Sequence, residues 1–236
     1  MIPKKIHYCW FGGKELPELA KKCIASWEKF CPDYEIIRWD ESNFDLDQTP
    51  YTRWCYNNGK WAFLSDYARL AIVAEQGGLY FDTDVELVKS PEELLQYEAF
   101  YGFENETAVA TGLGFGSVRH HMTIMAMCEQ YLSLMPDVEG DFQVQACPAL
   151  NTAALLPMGL VLNGEQQNVA GAEILPADYL NPYDDATGRL YRTENTLGIH
   201  WYSKSWIDKR TVLRSKLTRP LHRIFGKDCF RWLKRK

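Results

Sequence analysis

Two carboxylates two residues apart, Asp82 and Asp84, end the apolar run in "GGLYFDTDVE". A carboxylate taken out of water without a partner costs several kcal/mol, and two side by side repel. The pair therefore calls for positive charge, and a divalent cation is the first candidate. Residues i and i+2 of a regular strand point the same way, so both carboxylates can converge on one ligand. A hard cation that binds oxygen and also takes substrate phosphates is Mg²⁺ or Mn²⁺. Acidic pairs at strand ends are often only solvated, so the surrounding residues decide between these readings.

The elements that would position the pair alternate along the chain. "KKIHYCWF" reads as a strand ending at Trp10, closed by the Gly12-Gly13 turn. "PELAKKCIASWEKF" has helical spacing, and "YEIIRWD" reads as a second strand. "WAFLSDYARLAIVAEQGG" reads as a helix stopped by glycine, and "LYFDTDVEL" as the third strand. "EAFYGFE" and "VATGLGFGSV" read as further strands, and the Met-rich "HHMTIMAMCEQYLSLM" as a core helix. Alternating strands and helices imply an α/β fold with a mostly parallel, Rossmann-like sheet flanked by helices. Ligands of such sheets bind beyond the carboxyl ends of the strands, where Trp10, Asp82 and Asp84 all fall.

Composition narrows the class. The 236 residues suffice for a sizeable core, and 46% hydrophobic with 14% aromatic residues fits a folded globular chain. No apolar run reaches membrane-spanning length, and the N-terminus lacks the apolar stretch of a signal peptide. Seven scattered cysteines without a C-x-x-C pair favour neither a disulfide framework nor a zinc site, and suit a reducing cytoplasm. The net charge of −5 hides an asymmetry: residues 204–236 hold twelve Lys/Arg against Asp208 and Asp228, and the remainder is strongly acidic. The expected organisation is a catalytic domain over 1–206 and a basic amphipathic tail over 207–236. That tail is expected to form an interfacial helix, interrupted at Pro220, on the anionic inner face of a membrane. The alternative is a helix packing on the body. An acidic body excludes nucleic acid as the expected partner.

Together, "IPKKIHYCWFGG", "FLSDYARLAIVAEQGGLYFDTDVE" and "IHWYSKSW" resemble the DXD-containing glycosyltransferases of family 32. That family includes capsule and lipopolysaccharide sugar transferases, and its distant relatives include the clostridial-toxin glycosyltransferase domains. The resemblance runs from Ile2 to about Trp206. It implies a GT-A fold, a nucleotide-sugar donor (UDP-sugar foremost), Mn²⁺ or Mg²⁺, and hexose transfer with retention to a glycan or lipid-linked glycan acceptor.

By resemblance, Trp10 stacks on the donor's uracil, and an indole face is a good platform for a base. Asp66 holds the donor sugar's hydroxyls, and Arg69 the sugar or pyrophosphate; spaced three apart, they share a helix face. The alternative is a plain ion pair between them. Ser65 and Thr83 are further donor-site candidates. Asp82 matches the aspartate that touches the ribose and the metal shell, Asp84 the direct ligand, and His200 a third metal ligand. Ser205 and Trp206 match an element closing over the donor phosphates, and Lys204 is expected to neutralise the leaving diphosphate. "TGLGFGS", residues 111–117, is glycine-rich enough to approach the sugar. "QACPALN" departs from the family's usual segment and leaves the acceptor open.

Two rivals remain. "LYFDTDVE" also fits the D-x-D-x-[TV] signature of haloacid-dehalogenase-type phosphotransferases, but lies far from the N-terminus and lacks their later Gly-Asp acidic pair. A non-catalytic nucleotide- or carbohydrate-binding module is the other, against which intact Asp66, Asp82, Asp84 and His200 weigh.

Overall fold

The computed structural model describes residues 1–203, 209–226 and 229, without the side chains of residues 209, 212 and 215–217. Lys204, Ser205 and Trp206 lie outside the described residues.

The first half follows the expected alternation. It runs β1 (Lys5–Cys9), α1 (Glu18–Phe30), β2 (Glu35–Trp39), α2 (Pro50–Asn57), α3 (Trp61–Gln76), β3 (Gly78–Tyr80) and β4 (Val85–Leu87). Next come β5 (Ala99–Asn105), β6 (Ala108–Ala110), β7 (Phe115–Ser117), α4 (Met122–Leu132) and α5 (Cys147–Leu155). Then follow β8 (Gln167–Val169), β9 (Ala172–Leu175), α6 (Ala177–Leu180), the short pair β10 (Tyr183–Asp184) and β11 (Arg189–Leu190), β12 (Gly198–His200) and α7 (Lys209–Phe225).

The central sheet has the order β2-β1-β3-β7-β5-β9-β8, with β6 pairing β5. β1 pairs in parallel with β2 and β3, β5 pairs in parallel with β9, and β7 runs antiparallel between β3 and β5. Strand alternation feeds a core on each face. Cys9, Tyr80, Tyr101 and Phe115 pack with residues of α2 to α5. Tyr8, Leu79, Phe81 and Phe100 pack on the other side with Cys23 and Trp27 of α1 and Leu180 of α6.

Three local readings are corrected. The strand expected over "LYFDTDVEL" breaks in two: Val85 N–H donates to Asp82 O at 2.9 Å, closing a turn at Thr83–Asp84. β4 then leaves the main sheet and pairs with β12. "VATGLGFGSV" likewise splits into β6 and β7 around a 3-10 turn at Thr111–Leu113. Gly114 follows that turn at φ 115°, where a Cβ would lie 2.6 Å from the Phe81 ring, so only glycine fits. The tail helix is not interrupted, since α7 runs through exposed Pro220. Arg219 and Arg223 tether the turns on either side of it to the β10–β11 hairpin, which offsets the hydrogen bond that proline removes.

α2 was not expected from periodicity. Its signal is the cap: Thr49 accepts from Thr52 N–H at 3.0 Å, Thr52 Oγ1 accepts from Thr49 N–H at 3.2 Å, and Pro50 opens the helix. Among the described residues, no helix is long and apolar enough to cross a membrane.

Candidate functional site

Asp82 and Asp84 converge, through a turn rather than a strand pleat. Antiparallel pairing of β12 with β4 sets His200 opposite Val85, and so beside Asp84. His200 Nε2 lies 3.2 Å from Asp84 Oδ1. Ser203 N–H donates to Asp84 Oδ2 at 2.6 Å, and Trp201 N–H to Asp84 O at 2.9 Å. One ligand atom each from Asp82, Asp84 and His200 lies within 4.8 Å of the others. Opposite ligands of a hard cation at about 2.0–2.6 Å stand about 4–5 Å apart, so the cluster matches that scale. His200 Nδ1 is buried without a hydrogen-bond partner, an orphan polar atom inside this cluster. Two carboxylates and an imidazole form a donor set able to hold a divalent cation.

Arg69 is the permanent cation beside this group. It is 3% exposed, and its guanidinium pairs with Asp66 and, at 3.2 Å, with Asp82 Oδ2. Its Nε donates to Ser65 O at 3.1 Å, and its plane sits 5.4 Å from the Tyr80 ring centroid. Tyr80 O–H donates to the other Asp82 oxygen at 3.0 Å. Asp66 and Arg69 are thus an ion pair, and that pair is joined to Asp82. Ser65 directs its hydroxyl to Trp61 O, within its own helix.

The titration of these groups follows from burial and pairing. Burial raises the Asp82 carboxyl; Arg69 opposes this and Asp84 adds to it, leaving the group above its ordinary value. Burial also works to raise Asp84, but His200 and Ser203 outweigh it and hold the carboxyl well below the usual range. Burial works to lower His200, and the Asp84 carboxylate outweighs it.

The glycine-rich stretch reaches this site by its backbone. A Cβ on Gly112 would lie 2.7 Å from Asp82 Oδ2 and 2.9 Å from Arg69 NH1. That turn is pinned by α5, because Thr111 N–H and Oγ1 both donate to Asn151 Oδ1, at 3.1 and 2.9 Å. Trp10 stands just past β1, half-buried, its N–H donating to Trp39 O at 2.8 Å and its indole N–H to Lys14 O at 2.6 Å. Thr83 occupies the turn between the two aspartates. Tyr80 and the Ser203 N–H were missed from sequence, whereas Thr111 and Asn151 fall within the two segments singled out there, residues 111–117 and "QACPALN". Of the two missed, Tyr80 alone left a signal, standing two residues before Asp82.

Residues 17–101 match the family model described as a glycosyltransferase sugar-binding region containing a DXD motif. Over 107 residues the chain is 33% identical to inositol phosphoceramide mannosyltransferase 3 of Schizosaccharomyces pombe, a match covering 42% of this chain and 29% of that protein's length. The fold is similar to PaToxG glycosyltransferase, with a TM-score of 0.53 and 20% identity over 66% of this chain and 69% of that one. It is also similar to a glycosyltransferase involved in glycosylation of the major capsid of PBCV-1, with a TM-score of 0.50 and 10% identity over 89% and 98% of the two chains. The chain carries a DXD-type glycosyltransferase region on a GT-A fold. The matched range, residues 17–101, spans Asp82 and Asp84.

Proposed function

We propose that the protein is a metal-dependent, retaining glycosyltransferase that moves a hexose from a nucleotide-sugar, UDP-sugar foremost, to a glycan acceptor in surface polysaccharide synthesis. The observation that carries this reading is the convergence of Asp82, Asp84 and His200 beside Arg69 at the carboxyl edge of a GT-A sheet.

Asp82, Asp84 and His200 would hold the cation, which when bound neutralises charge on a diphosphate leaving group. The protein's own groups fix the rest. Ser203 N–H and His200 aim the two oxygens of Asp84. Arg69 and Tyr80 each hold one oxygen of Asp82, so the carboxylate enters the reaction already oriented. On this reading Asp66, bound to Arg69, accepts from sugar hydroxyls, and Trp10 stacks on the base. Among the described residues of the site none identifies itself as a nucleophile, which favours attack from the face the leaving group departs. The anomeric carbon–oxygen bond to the diphosphate breaks, the bond to the acceptor oxygen forms, and the hydroxyl proton passes to the departing phosphate oxygen. A product of inverted configuration, read by NMR, ends that part of the proposal.

The same reading puts the protein at the cytoplasmic face of a membrane, through α7. Arg219 bonds Asp185 at 2.9 Å, and Arg223 bonds Thr187 O at 2.5 Å. At about 100° per residue, exposed Leu213, Leu221, Ile224 and Phe225 fall roughly opposite those two arginines. Arg210 and Arg214 are exposed on the same side, and residues 209–226 contain no acid. An exposed face that mixes these apolar side chains with Arg210 and Arg214 matches an anionic bilayer.

The test is a thermal-shift panel of UDP- and GDP-sugars, with and without Mn²⁺, on wild type and Asp84→Ala. A hundredfold excess over Kd stabilises the fold by about 2.7 kcal/mol. Stabilisation by one nucleotide-sugar that needs Mn²⁺ and vanishes in Asp84→Ala is expected. No response to any of them overturns the proposal and returns the non-catalytic module.

A further inference from the structure

A cavity of about 460 Å³ opens beside the metal-ligand cluster, within the about 300–1,000 Å³ of small-molecule sites. Its walls come from the end of β5, from α6 and the segment after it, and from Tyr202 just past β12. Tyr202 belongs to both places. Its backbone is left-handed, at φ 50°, and its ring centroid lies 4.1 Å from that of His200. Its hydroxyl points the other way, 3.4 Å from Glu104 Oε1 across the cavity wall. A non-glycine residue held in that conformation is strained, and the surrounding structure must offset the strain. Here it makes one ring the partition between the candidate metal ligands and the cavity.

The lining has a definite chemistry. Tyr183, Tyr191 and Tyr202 offer aromatic faces, and Asn181 and Glu104 offer hydrogen-bonding groups. Glu104, Asp178, Asp184 and Asp185 add carboxylates, and among the described residues no Lys or Arg lines the cavity. These carboxylates differ in what already occupies them. Asp178 accepts from Thr193 and Asn195, Asp184 from Ala186 N–H and Thr187, and Asp185 from Arg219. Glu104 receives the long Tyr202 bond. Flat apolar rings beside carboxylate and amide groups suit a ring of carbons carrying hydroxyls: the rings cover its C–H face, and charge-assisted bonds take its O–H groups. A cavity walled by one sign of charge repels a ligand of that sign.

We propose that this cavity is the acceptor subsite and takes an uncharged or amino-bearing sugar, rejecting uronic acids and phosphorylated sugars, with Glu104 as its principal hydroxyl-binding group. This rests on the glycosyltransferase reading for the word acceptor, but the binding claim stands by itself. Arg219 has a supporting part: its guanidinium lies 5.7 Å from the Tyr183 ring centroid while bonding Asp185, so α7 braces the wall from behind.

The experiment uses the full chain and saturation-transfer NMR with methyl glycosides of glucose, galactose, mannose and glucosamine, against methyl glucuronide. Expected is saturation transfer to at least one neutral or amino glycoside, and at least a tenfold weaker response from the glucuronide. Glu104→Gln and Tyr183→Ala are each expected to raise the Kd of the bound glycoside tenfold or more. Both are expected to leave UDP–Mn²⁺ binding unchanged, which also reports that each variant is folded. Binding of the glucuronide as strongly as the neutral sugars, no response to any glycoside, or unaltered binding in Glu104→Gln each overturns the proposal. If glycosides bind here while no nucleotide–Mn²⁺ complex does, the glycosyltransferase reading fails and the sugar site stands.

Discussion

His200 and Asp84 meet at the end of the β4–β12 ladder, Nε2 at 3.2 Å from Oδ1, with the second imidazole nitrogen buried and unpartnered. A histidine in that position serves a cation better than it serves the core. Loss of even an outer partner of a metal site costs about 10–100-fold in affinity, and a direct ligand is expected to cost at least the upper figure. His200→Ala is therefore expected to weaken Mn²⁺ binding by about 100-fold in an isothermal titration. Unchanged affinity would remove His200 from the ligand set.

Arg69 sits between Asp66 and Asp82 with almost no access to water. Removing one partner from a buried charge cluster leaves the rest uncompensated, at about 3–5 kcal/mol. Arg69→Met is expected to lose about that much in urea denaturation. Arg69→Lys keeps the charge but not the planar fork, so it is expected to fold and to bind donor more weakly. A destabilisation below about 1 kcal/mol for Arg69→Met would show the cluster to be solvated rather than buried.

Gly112 brings main chain against Asp82 and Arg69, and Asn151 holds the turn from behind. Gly112→Ala has no room except by pushing those two side chains. Misplacement of site groups by about 1 Å can cost on the order of 10²-fold in rate. The expected result is a large fall in kcat/KM for sugar transfer with a Tm close to wild type. Wild-type turnover in this variant would mean that the turn yields without disturbing the carboxylate.

His7 is fully buried in β1, far in function from the carboxylates. Trp39 indole N–H donates to its Nδ1 at 3.1 Å, so the proton sits on Nε2, which donates to Gly77 O at 2.9 Å. A second proton would set two N–H groups against each other. Burial leads in lowering the group from 6.5 to about 4. The folded state thus favours the neutral ring: its stabilisation is complete above pH 6.5 and is lost as pH falls through 6.5 towards 4. Between pH 7 and 5 this amounts to about 2 kcal/mol. Chemical denaturation should show that decline in wild type and a shallower one in His7→Gln; equal slopes would refute the assignment.

For α7, Ile224→Glu with Phe225→Glu places charge on the outward face and leaves the Arg219 and Arg223 tethers untouched. Wild type is expected to sediment with phosphatidylserine-containing vesicles, less so at high salt, and the double variant to stay in solution. Equal sedimentation of the two proteins would take the membrane role away from this helix.

Much of the fold was legible because its signals are local. The glycines after α3 and the alternating runs of β1, β2 and β3 mark their own ends, and Asp66, Arg69, Asp82 and Asp84 occur within one short stretch. His200 was legible only through its motif, because the ladder that carries it to Asp84 joins residues more than a hundred positions apart. The turn at Thr83–Asp84 escaped notice since "FDTDVEL" carries no glycine or proline to announce a break. The grip of Ser203 on Asp84 is a main-chain contact, to which residue type contributes nothing. α2 was marked by its capping threonines and not by an apolar stripe.

The ladder between β4 and β12 also sets an order in time. A chain emerging from the ribosome can lay down β1, β2 and β3 early, and with them both aspartates. It cannot bring in His200, the third candidate ligand, or the Ser203 amide that orients Asp84, until synthesis has passed residue 203. If the proposed function holds, the complete ligand set arrives only with the last strand of the ladder, so metal binding waits on a contact between the two ends of the described fold.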